Sequence, residues 1–287
     1  MEIVATIKRT NEILEKFNLR AKKGFGQNFI IDPNIVGNIA AKANCDDACV
    51  IEIGPGIGAL TQMLALRAKK VVAFEIDTQL LDVLAYSLDG LDNVEIINED
   101  FLEVDLESYI AKLKKEYGKV VVCANLPYYI TTPILFKIFE CRERVDCITV
   151  MMQKEVADRF SASVNSKDYN ALSVVTQYLY DTKTIMKISR NIFNPKPNVD
   201  SAIVQFKEER QFVVDNQEAF FELVKGCFKQ RRKTIYNNLR DYCQDGELAR
   251  SVLEKAQIAE NKRAQELSLA AFKELYEVYN DERSSVR

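Results

Sequence analysis

Short apolar runs, rich in valine and isoleucine, alternate with helix-like segments along the chain as far as Phe206. Continuous runs of this kind are typical of strands that are buried on both faces of a parallel sheet. The pattern predicts strands at residues 50–53, 71–76, 94–97, 120–123, 147–152, 184–188 and 201–206. Because parallel strands are joined by right-handed helical crossovers, we expect a doubly wound α/β sheet. The last two strands would complete it as a hairpin-like pair.

The periodicity changes after Phe206. Apolar residues then recur at helical spacing and predict three helices, at residues 220–239, 247–258 and 264–279. We therefore predict two domains, an α/β domain over residues 1–207 and a smaller helical domain over residues 208–287.

Composition restricts the kind of protein. The chain has 287 residues, of which 47% are apolar and 28% charged, as in ordinary globular proteins. It contains no apolar run long enough for a membrane span, and its first residues do not resemble a secretory signal. The seven cysteines are odd in number and scattered, without the spacing of a zinc site. We expect a cytoplasmic protein with no metal.

Histidine is absent from the whole sequence. This absence excludes serine–histidine triads, histidine zinc sites and imidazole acid–base catalysis. The net charge of −3 argues against a uniformly basic nucleic-acid binder, although local basic patches remain possible.

The segment Asn125-Leu126-Pro127-Tyr128 directly follows the apolar run that ends at Ala124. Proline fixes its own φ and moves the preceding residue away from helical geometry, so the strand ends there. The Asn125 amide and the Leu126 carbonyl can then accept hydrogen bonds from an exocyclic amino group, while the Tyr128 ring offers a stacking face. We interpret the segment as a clamp for a flat nitrogen base.

A glycine turn, Gly54-Pro55-Gly56-Ile57-Gly58, follows the first strand of the sheet. Glycines at such a point allow the backbone to approach a ligand closely. Alone, the turn also satisfies a loose dinucleotide pattern or a purely structural role. Glu75 ends the second strand and can accept hydrogen bonds from ribose hydroxyls, and Asp100 follows the third strand and can meet an adenine amino group. Asp77 is expected to cap the helix that follows it.

Further motifs in matching order carry a family resemblance. With the glycine turn, Glu75, Asp100 and the clamp, the chain resembles the S-adenosylmethionine-dependent adenine-N6 methyltransferases, which have a Rossmann-like sheet. The upstream segment Gly24-Phe25-Gly26-Gln27-Asn28-Phe29 narrows this to the ribosomal RNA adenine dimethyltransferases. Residues 193–202 resemble an element of these dimethyltransferases, and the segment from Phe228 to Leu239 is similar to the C-terminal element of the small-subunit (KsgA/RsmA) branch. The matches extend from about residue 20 to residue 240.

The resemblance implies a role for each matching residue. The family's S-adenosylmethionine contacts fall on Asn28, Ile30, Gly54, Gly56, Glu75, Asp100 and Asn125. The catalytic residues would be Asn125, Leu126, Tyr128 and Phe193, with Phe193 as a second aromatic wall. From its position we expect Tyr129, where many relatives carry asparagine, to pack behind the clamp.

Positive charge is concentrated in three places that could meet RNA. One of them, near Phe193, comprises Lys183, Lys187, Arg190 and Lys196. Residues 225–240 contain six basic residues and no acidic residue. On the predicted helix, most of these basic residues would share one face. Another basic segment lies beside the Gln27-Asn28 element. We predict RNA contacts at Arg20, Lys22, Lys23, Lys229, Arg232 and Lys233. Arg231, whose helical angle differs, is expected to pair with a carboxylate or carbonyls between the domains.

The resemblance implies dimethylation of two adjacent adenosines in a hairpin near the 3′ end of 16S ribosomal RNA, during biogenesis of the small subunit. The partner would be this RNA, within the small ribosomal subunit or its precursor, and nothing in the sequence demands a dimer. Three alternatives stay open: a large-subunit methyltransferase of the macrolide-resistance type, an assembly factor that acts mainly by binding, and a DNA adenine methyltransferase.

Overall fold

A computed structural model describes residues 2–22, 26–141, 145–209 and 212–285. Its strands are β1 (Phe29–Ile30), β2 (Cys49–Ile53), β3 (Lys70–Phe74), β4 (Val94–Ile97), β5 (Val120–Asn125), β6 (Cys147–Gln153), β7 (Tyr180–Ile188), β8 (Phe193–Asn194) and β9 (Ser201–Glu208). Its helices are α1 (Ile7–Lys16), α2 (Pro33–Lys42), α3 (Ala59–Ala65), α4 (Leu81–Ser87), α5 (Leu106–Tyr117), α6 (Thr131–Glu140), α7 (Lys154–Phe160), α8 (Ala171–Leu179), α9 (Gln217–Cys227), α10 (Ile235–Cys243), α11 (Gly246–Lys255) and α12 (Leu269–Ser285).

Seven strands form the main sheet in the order β4-β3-β2-β5-β6-β9-β7. The pairs among β4, β3, β2, β5 and β6 are all parallel, and β9 runs antiparallel to β6. Every residue of β2 is buried, as are all but the last residues of β5 and β6, which explains why these strands appear as unbroken apolar runs. The predicted Rossmann-like sheet of seven mostly parallel strands is confirmed.

A second, two-stranded sheet pairs β1 with β8 in antiparallel register, so that Ile30 lies opposite Phe193. Two strands of two residues are too short to leave a periodic signal in the sequence, and no pattern predicted them. Their pairing holds the Asn28 segment beside the Phe193 segment.

Two compact units make up the fold: residues 1–157 with 183–208, and residues 158–182 with 209–287. The predicted division into domains 1–207 and 208–287 stays a prediction, and the compact units differ from it in residues 158–182. That segment contains α8, which packs with α9 and α12 in the helical unit. No helix among the described residues has the length and apolarity needed to cross a membrane.

The prediction of a single helix over residues 220–239 is wrong. Helix α9 ends at Cys227, and α10 begins at Ile235 after a non-helical turn over residues 228–234, which we call the basic turn. The buried side chain of Asn238 accepts a hydrogen bond from the Gln230 amide and donates one to the Gln230 carbonyl, both at 3.1 Å. Thr234 caps α10 by accepting from the Asn237 amide at 3.3 Å. These side chain–backbone bonds replace helical ones, so the stripe of basic residues on one helix face does not form.

The other two C-terminal helices follow the pattern with different ends. Helix α11 ends at Lys255, and a short 3₁₀ turn over Ala264–Glu266 precedes α12. The interior of this unit is aromatic: the Phe220 ring contacts Tyr178 and Tyr276, with ring centroids 5.2 and 5.5 Å apart.

Gly226 lies where α9 packs on the Tyr242 ring of α10. A Cβ added at Gly226 would lie 2.5 Å from Cδ2 of Tyr242, closer than packed atoms approach. We expect Gly226→Ala to lower the free energy of unfolding by about 1–3 kcal/mol, because the ring must shift. Gly37 is the matched control, since it lies within α2 and a Cβ there meets no atom within 4 Å. Gly37→Ala should stabilise by about 0.5–1 kcal/mol, and urea unfolding that ranked the two variants alike would contradict this packing.

Candidate active site

The carboxyl ends of the parallel strands β2 to β5 meet at one edge of the sheet. The glycine turn follows β2, Glu75 follows β3, Asp100 comes shortly after β4, and Asn125 ends β5. In open α/β sheets this edge is where ligands bind. The alternation of strands and helices therefore brings residues together that are far apart in the chain.

A cavity opens at this edge, with about 1250 Å³ of empty space when its open mouth is included. Its walls contain all the residues for which the sequence predicted cofactor or catalytic roles. They are Asn28, Ile30, Gly54, Gly56, Glu75, Asp100, Asn125, Leu126, Tyr128 and Phe193. The structure places them in one cavity, and their individual roles stay predictions.

The glycine turn exposes backbone to this cavity. Gly54 and Gly56 have φ values of 67° and 60°, in the left-handed region that favours glycine. A Cβ at Gly54 would meet only Pro127, at 3.9 Å. Gly58 has a different reason to be glycine, because a Cβ there would lie 2.9 Å from the Leu88 side chain. Gly54 thus leaves room for a ligand, Gly56 borders the Phe29 ring at 3.5 Å from where a Cβ would lie, and Gly58 allows close packing.

Glu75 lines the cavity, and burial raises the pKa of its carboxyl group. Its Oε1 accepts a hydrogen bond from the Asp77 amide at 2.8 Å, and its Oε2 accepts one from the Gly56 amide at 3.4 Å. Asp77 caps the 3₁₀ turn Thr78–Leu80 by accepting from the Gln79 amide, which confirms the predicted capping role.

Glu52 also lines the cavity, although the sequence patterns gave it no separate role. Its side chain is 1% exposed, and its Oε2 has no hydrogen-bond partner. Burial, with the nearby charge of Glu75, raises the pKa of Glu52 to about 8. A carboxylate inside an otherwise apolar strand was the signal that could have identified it.

The Asn125-Leu126-Pro127-Tyr128 segment leaves β5 as a fixed turn. The Leu126 amide donates to the Met151 carbonyl of β6 at 3.2 Å, and the Thr131 hydroxyl donates to the Pro127 carbonyl at 3.0 Å. Within the described part of the chain, no residue is hydrogen-bonded to the Asn125 side chain or the Leu126 carbonyl. Two acceptors are therefore available at the cavity wall.

Two aromatic rings border these acceptors. The Tyr128 hydroxyl is hydrogen-bonded to the Ser201 hydroxyl at 2.7 Å, which fixes the ring orientation. Phe193 is 3% exposed, lines the cavity and also belongs to the hydrophobic core, and its role as an aromatic wall stays a prediction.

The prediction that Tyr129 packs behind the clamp is wrong. Its side chain is 56% exposed, lines the cavity and lies beside Gly26, where an added Cβ would be 3.6 Å from the ring. Partial burial and the nearby carboxylates of Asp100 and Glu75 raise the pKa of Tyr129. Helix α6 begins two residues later, at Thr131.

The family model for ribosomal RNA adenine dimethylases matches residues 18–281 of the chain. The chain belongs to this family. It is therefore a methyltransferase enzyme, a ribosomal RNA adenine dimethylase.

Individual relatives agree with this membership. The dimethylase is 45% identical over 281 residues to the ribosomal RNA small subunit methyltransferase A of Staphylococcus aureus strain Newman, a match that covers 96% of this chain and 95% of the relative. It is similar to the crystal structure of a dimethyladenosine transferase from Plasmodium falciparum (TM-score 0.75, 26% identity, 88% of this chain and 98% of that one). It is also similar to the 23S rRNA methyltransferase ErmE (TM-score 0.68, 27% identity, 88% of this chain and 100% of that one).

The basic residues predicted to contact RNA have different surroundings in the dimethylase. Arg20, Lys229 and Arg232 are exposed. The Lys22 ammonium pairs with Asp77 at 2.8 Å, and the Lys233 ammonium with Asp241 at 3.1 Å. Lys23 lies outside the described residues. Contact with RNA stays a prediction for the whole set.

Arg231 donates to the Lys167 carbonyl, so the expected carbonyl partner is present. This partner lies in the same compact unit and not in the other one. Among the described residues, no group of three or more cysteine, aspartate or glutamate side chains is arranged to hold a metal ion.

Proposed function

We propose that this dimethylase transfers methyl groups from S-adenosylmethionine to N6 of two adjacent adenosines in a hairpin near the 3′ end of 16S ribosomal RNA, during small-subunit biogenesis. The observation that carries the proposal is a single cavity that joins the Glu75 and Asp100 carboxylates to the Asn125-Leu126 acceptors. The 45% identical relative named small subunit methyltransferase A supports the choice of RNA. The large-subunit enzyme ErmE is 27% identical.

The residues of the cavity fit the cofactor. Glu75 is positioned to accept hydrogen bonds from ribose hydroxyls, and Asp100 to accept one from the adenine amino group. Gly54 and Gly56 both line the cavity, and Gly54 leaves room for a methionine moiety because a Cβ there would meet only Pro127, at 3.9 Å. Asn28 and Ile30 also line the cavity. When bound, S-adenosylmethionine supplies a methyl group that its positive sulfonium has already activated.

The clamp would hold the target base. An adenine amino group is a poor nucleophile because its lone pair is delocalised into the ring. The Asn125 Oδ1 and the Leu126 carbonyl accept hydrogen bonds from this amino group and draw its protons out of the ring plane. The lone pair then points towards the methyl donor, and holding it in line lowers the barrier by several kcal/mol. As N6 takes the methyl group and the S–CH3 bond breaks, the nitrogen becomes positively charged and releases its proton to water, so the chain needs no histidine.

The experiment that tests the proposal is transfer of labelled methyl from S-adenosylmethionine to unmethylated small subunits, with large subunits and duplex DNA in parallel. We expect label only in small subunits, as N6-dimethyladenosine at two adjacent positions located by reverse-transcription stops. Label confined to large subunits would favour the macrolide-resistance type, and label in DNA would favour a DNA methyltransferase. Binding to small subunits without any label would favour an assembly factor.

Tyr128→Ala is expected to lower kcat/KM for the RNA substrate by about 5- to 150-fold, since aromatic stacking on a base is worth about 1–3 kcal/mol. Tyr128→Phe keeps the ring and loses only the hydrogen bond to Ser201. The decrease in kcat/KM for Tyr128→Phe should therefore be much smaller, within about tenfold. Steady-state rates with small subunits at saturating cofactor measure both. Equal losses in the two variants would contradict a stacking role.

The basic turn gives a separate prediction about RNA affinity. Replacing both Lys229 and Arg232 with glutamine should reduce the slope of log K against log salt by about 1.4–1.8, because two phosphate contacts are lost. Lys225→Gln is the matched control, since the Lys225 ammonium already pairs with Glu222 at 2.8 Å. Filter binding of an RNA hairpin at several salt concentrations measures the slopes. An unchanged slope in the double variant would remove these residues from the RNA contact.

A further inference from the structure

We propose that Asp77 is a positioning residue, which with Lys22 and Gln27 fixes the edge of the cofactor cavity formed by residues 26–30. We call these three side chains the Asp77 latch. The inference rests on the proposed function for the identity of the cofactor. It changes the predicted role of Lys22 from an RNA contact to a structural partner of the active site.

Two side chains from the N-terminal segment converge on the Asp77 carboxylate, which is 5% exposed. The Lys22 ammonium donates to Oδ1 at 2.8 Å, and the side-chain amide of Gln27 donates to Oδ2 at 3.0 Å. The Gln27 Oε1 in turn accepts a hydrogen bond from the backbone amide of Lys22 at 2.9 Å. Both polar atoms of the Gln27 side-chain amide are therefore hydrogen-bonded, and these bonds hold Gln27 beside Asp77.

The latch continues into the floor of the cavity. The Asp77 amide donates to Oε1 of Glu75, whose Oε2 accepts from the Gly56 amide of the glycine turn. One chain of hydrogen bonds thus connects Gln27, Asp77, Glu75 and the glycine turn. On the other side of Gln27, the Asn28 side chain donates to the Gly26 carbonyl at 2.9 Å, and residues 26–30 all line the cavity.

The charges show why the latch holds. A buried carboxylate requires partners, and hydrogen bonds between charged groups are stronger than neutral ones. Burial acts to raise the pKa of Asp77, but the hydrogen bonds from Lys22 and Gln27 outweigh it and hold this pKa below its usual value. Asp77 therefore stays ionised at neutral pH. Loss of either charge removes the ion pair between Lys22 and Asp77, and the edge at residues 26–30 loses this anchor.

The test compares cofactor binding in Asp77→Asn, Lys22→Met and wild-type protein by isothermal titration calorimetry with S-adenosylmethionine and S-adenosylhomocysteine. We expect Kd for both ligands to rise about 10- to 100-fold in each variant, as for a lost hydrogen bond between charged groups. Lys22→Arg should restore affinity to within about threefold. Lys8→Met, which removes an exposed charge from α1, should leave cofactor Kd unchanged.

Two further measurements separate positioning from RNA binding and from general damage. The kcat at saturating cofactor should stay within about threefold of wild type in Lys22→Met, while KM for the cofactor rises. Hydrogen exchange at the amides of residues 27–30 should be faster in Asp77→Asn without any ligand, with the rest of the α/β unit unchanged. This readout does not require the proposed function to be correct.

Unchanged cofactor Kd together with unchanged exchange at residues 27–30 would overturn the latch. So would a Lys22→Met variant that loses RNA affinity and keeps wild-type cofactor affinity. If wild-type protein itself binds no S-adenosylmethionine, the proposed function fails, and the exchange rates alone decide whether the latch orders this edge.

Discussion

Asn125→Ala is expected to lower the rate of methyl transfer by about 10²–10³-fold, a loss comparable with removing one preorganised hydrogen-bonding group from a catalytic site. The Asn125 side chain is free of partners among the described residues and lies next to the Leu126 carbonyl, so it is available for the proposed hydrogen bond from a substrate amino group. Without it, the nucleophilic lone pair is no longer directed. Single-turnover rates at saturating cofactor isolate this step from binding.

Asn125→Asp is the matched control because it keeps an acceptor oxygen at the same place. It should retain more activity than Asn125→Ala. Affinity for small subunits, measured by sedimentation, should change little in either variant, which separates catalysis from particle binding. A single-turnover rate in Asn125→Ala within fivefold of wild type would show that the amide does not orient the base.

Glu52 is expected to make the stability of the protein depend on pH. Its pKa in the folded state is about 8, above the usual value of 4.5, so the folded protein binds a proton that the unfolded chain has released. The free energy of unfolding should therefore fall as pH rises from about 5 to 8, with a contribution of up to about 1.4 kcal/mol per pH unit. The contribution is complete at acid pH and is lost above pH 8.

Glu52→Gln removes this titration and keeps the size of the side chain. Relative to wild type, the variant should become progressively more stable as pH increases from 5 to 8, as measured by urea midpoints at each pH. Glu15→Gln, at an exposed position on α1, controls for the loss of one negative charge and should show no such trend. Parallel curves for wild type and Glu52→Gln would mean that Glu52 is ionised in the folded protein.

The central sheet could be predicted from the sequence because its strands are buried on both faces. Burial of that kind demands unbroken apolar runs, and the parallel arrangement then fixes where each strand ends. Glu75, Asp100 and Asn125 were placed correctly at one edge for this reason. Local spacing and one topological rule were sufficient.

The features that were missed depend on contacts between distant residues. The helix break at residues 228–234 requires Asn238 to bond the Gln230 backbone, although the apolar spacing continues through it. The pairing of Lys22 with Asp77 joins residues 55 positions apart, and a count of basic residues cannot distinguish a paired lysine from a free one. The prediction for Tyr129 was wrong because the direction of a side chain at a turn depends on the path that the backbone takes after that residue.

The two hydrogen bonds between the Asn238 side chain and the Gln230 backbone affect how the basic turn can evolve. Both polar groups of the Gln230 backbone are bonded to a buried side chain, so the path of this turn depends on main-chain atoms. The exposed side chains at Lys229 and Arg232 contribute charge without determining that path. Selection can therefore adjust the number of positive charges, and with it the strength of attraction to a polyanion, while the geometry of presentation stays constant.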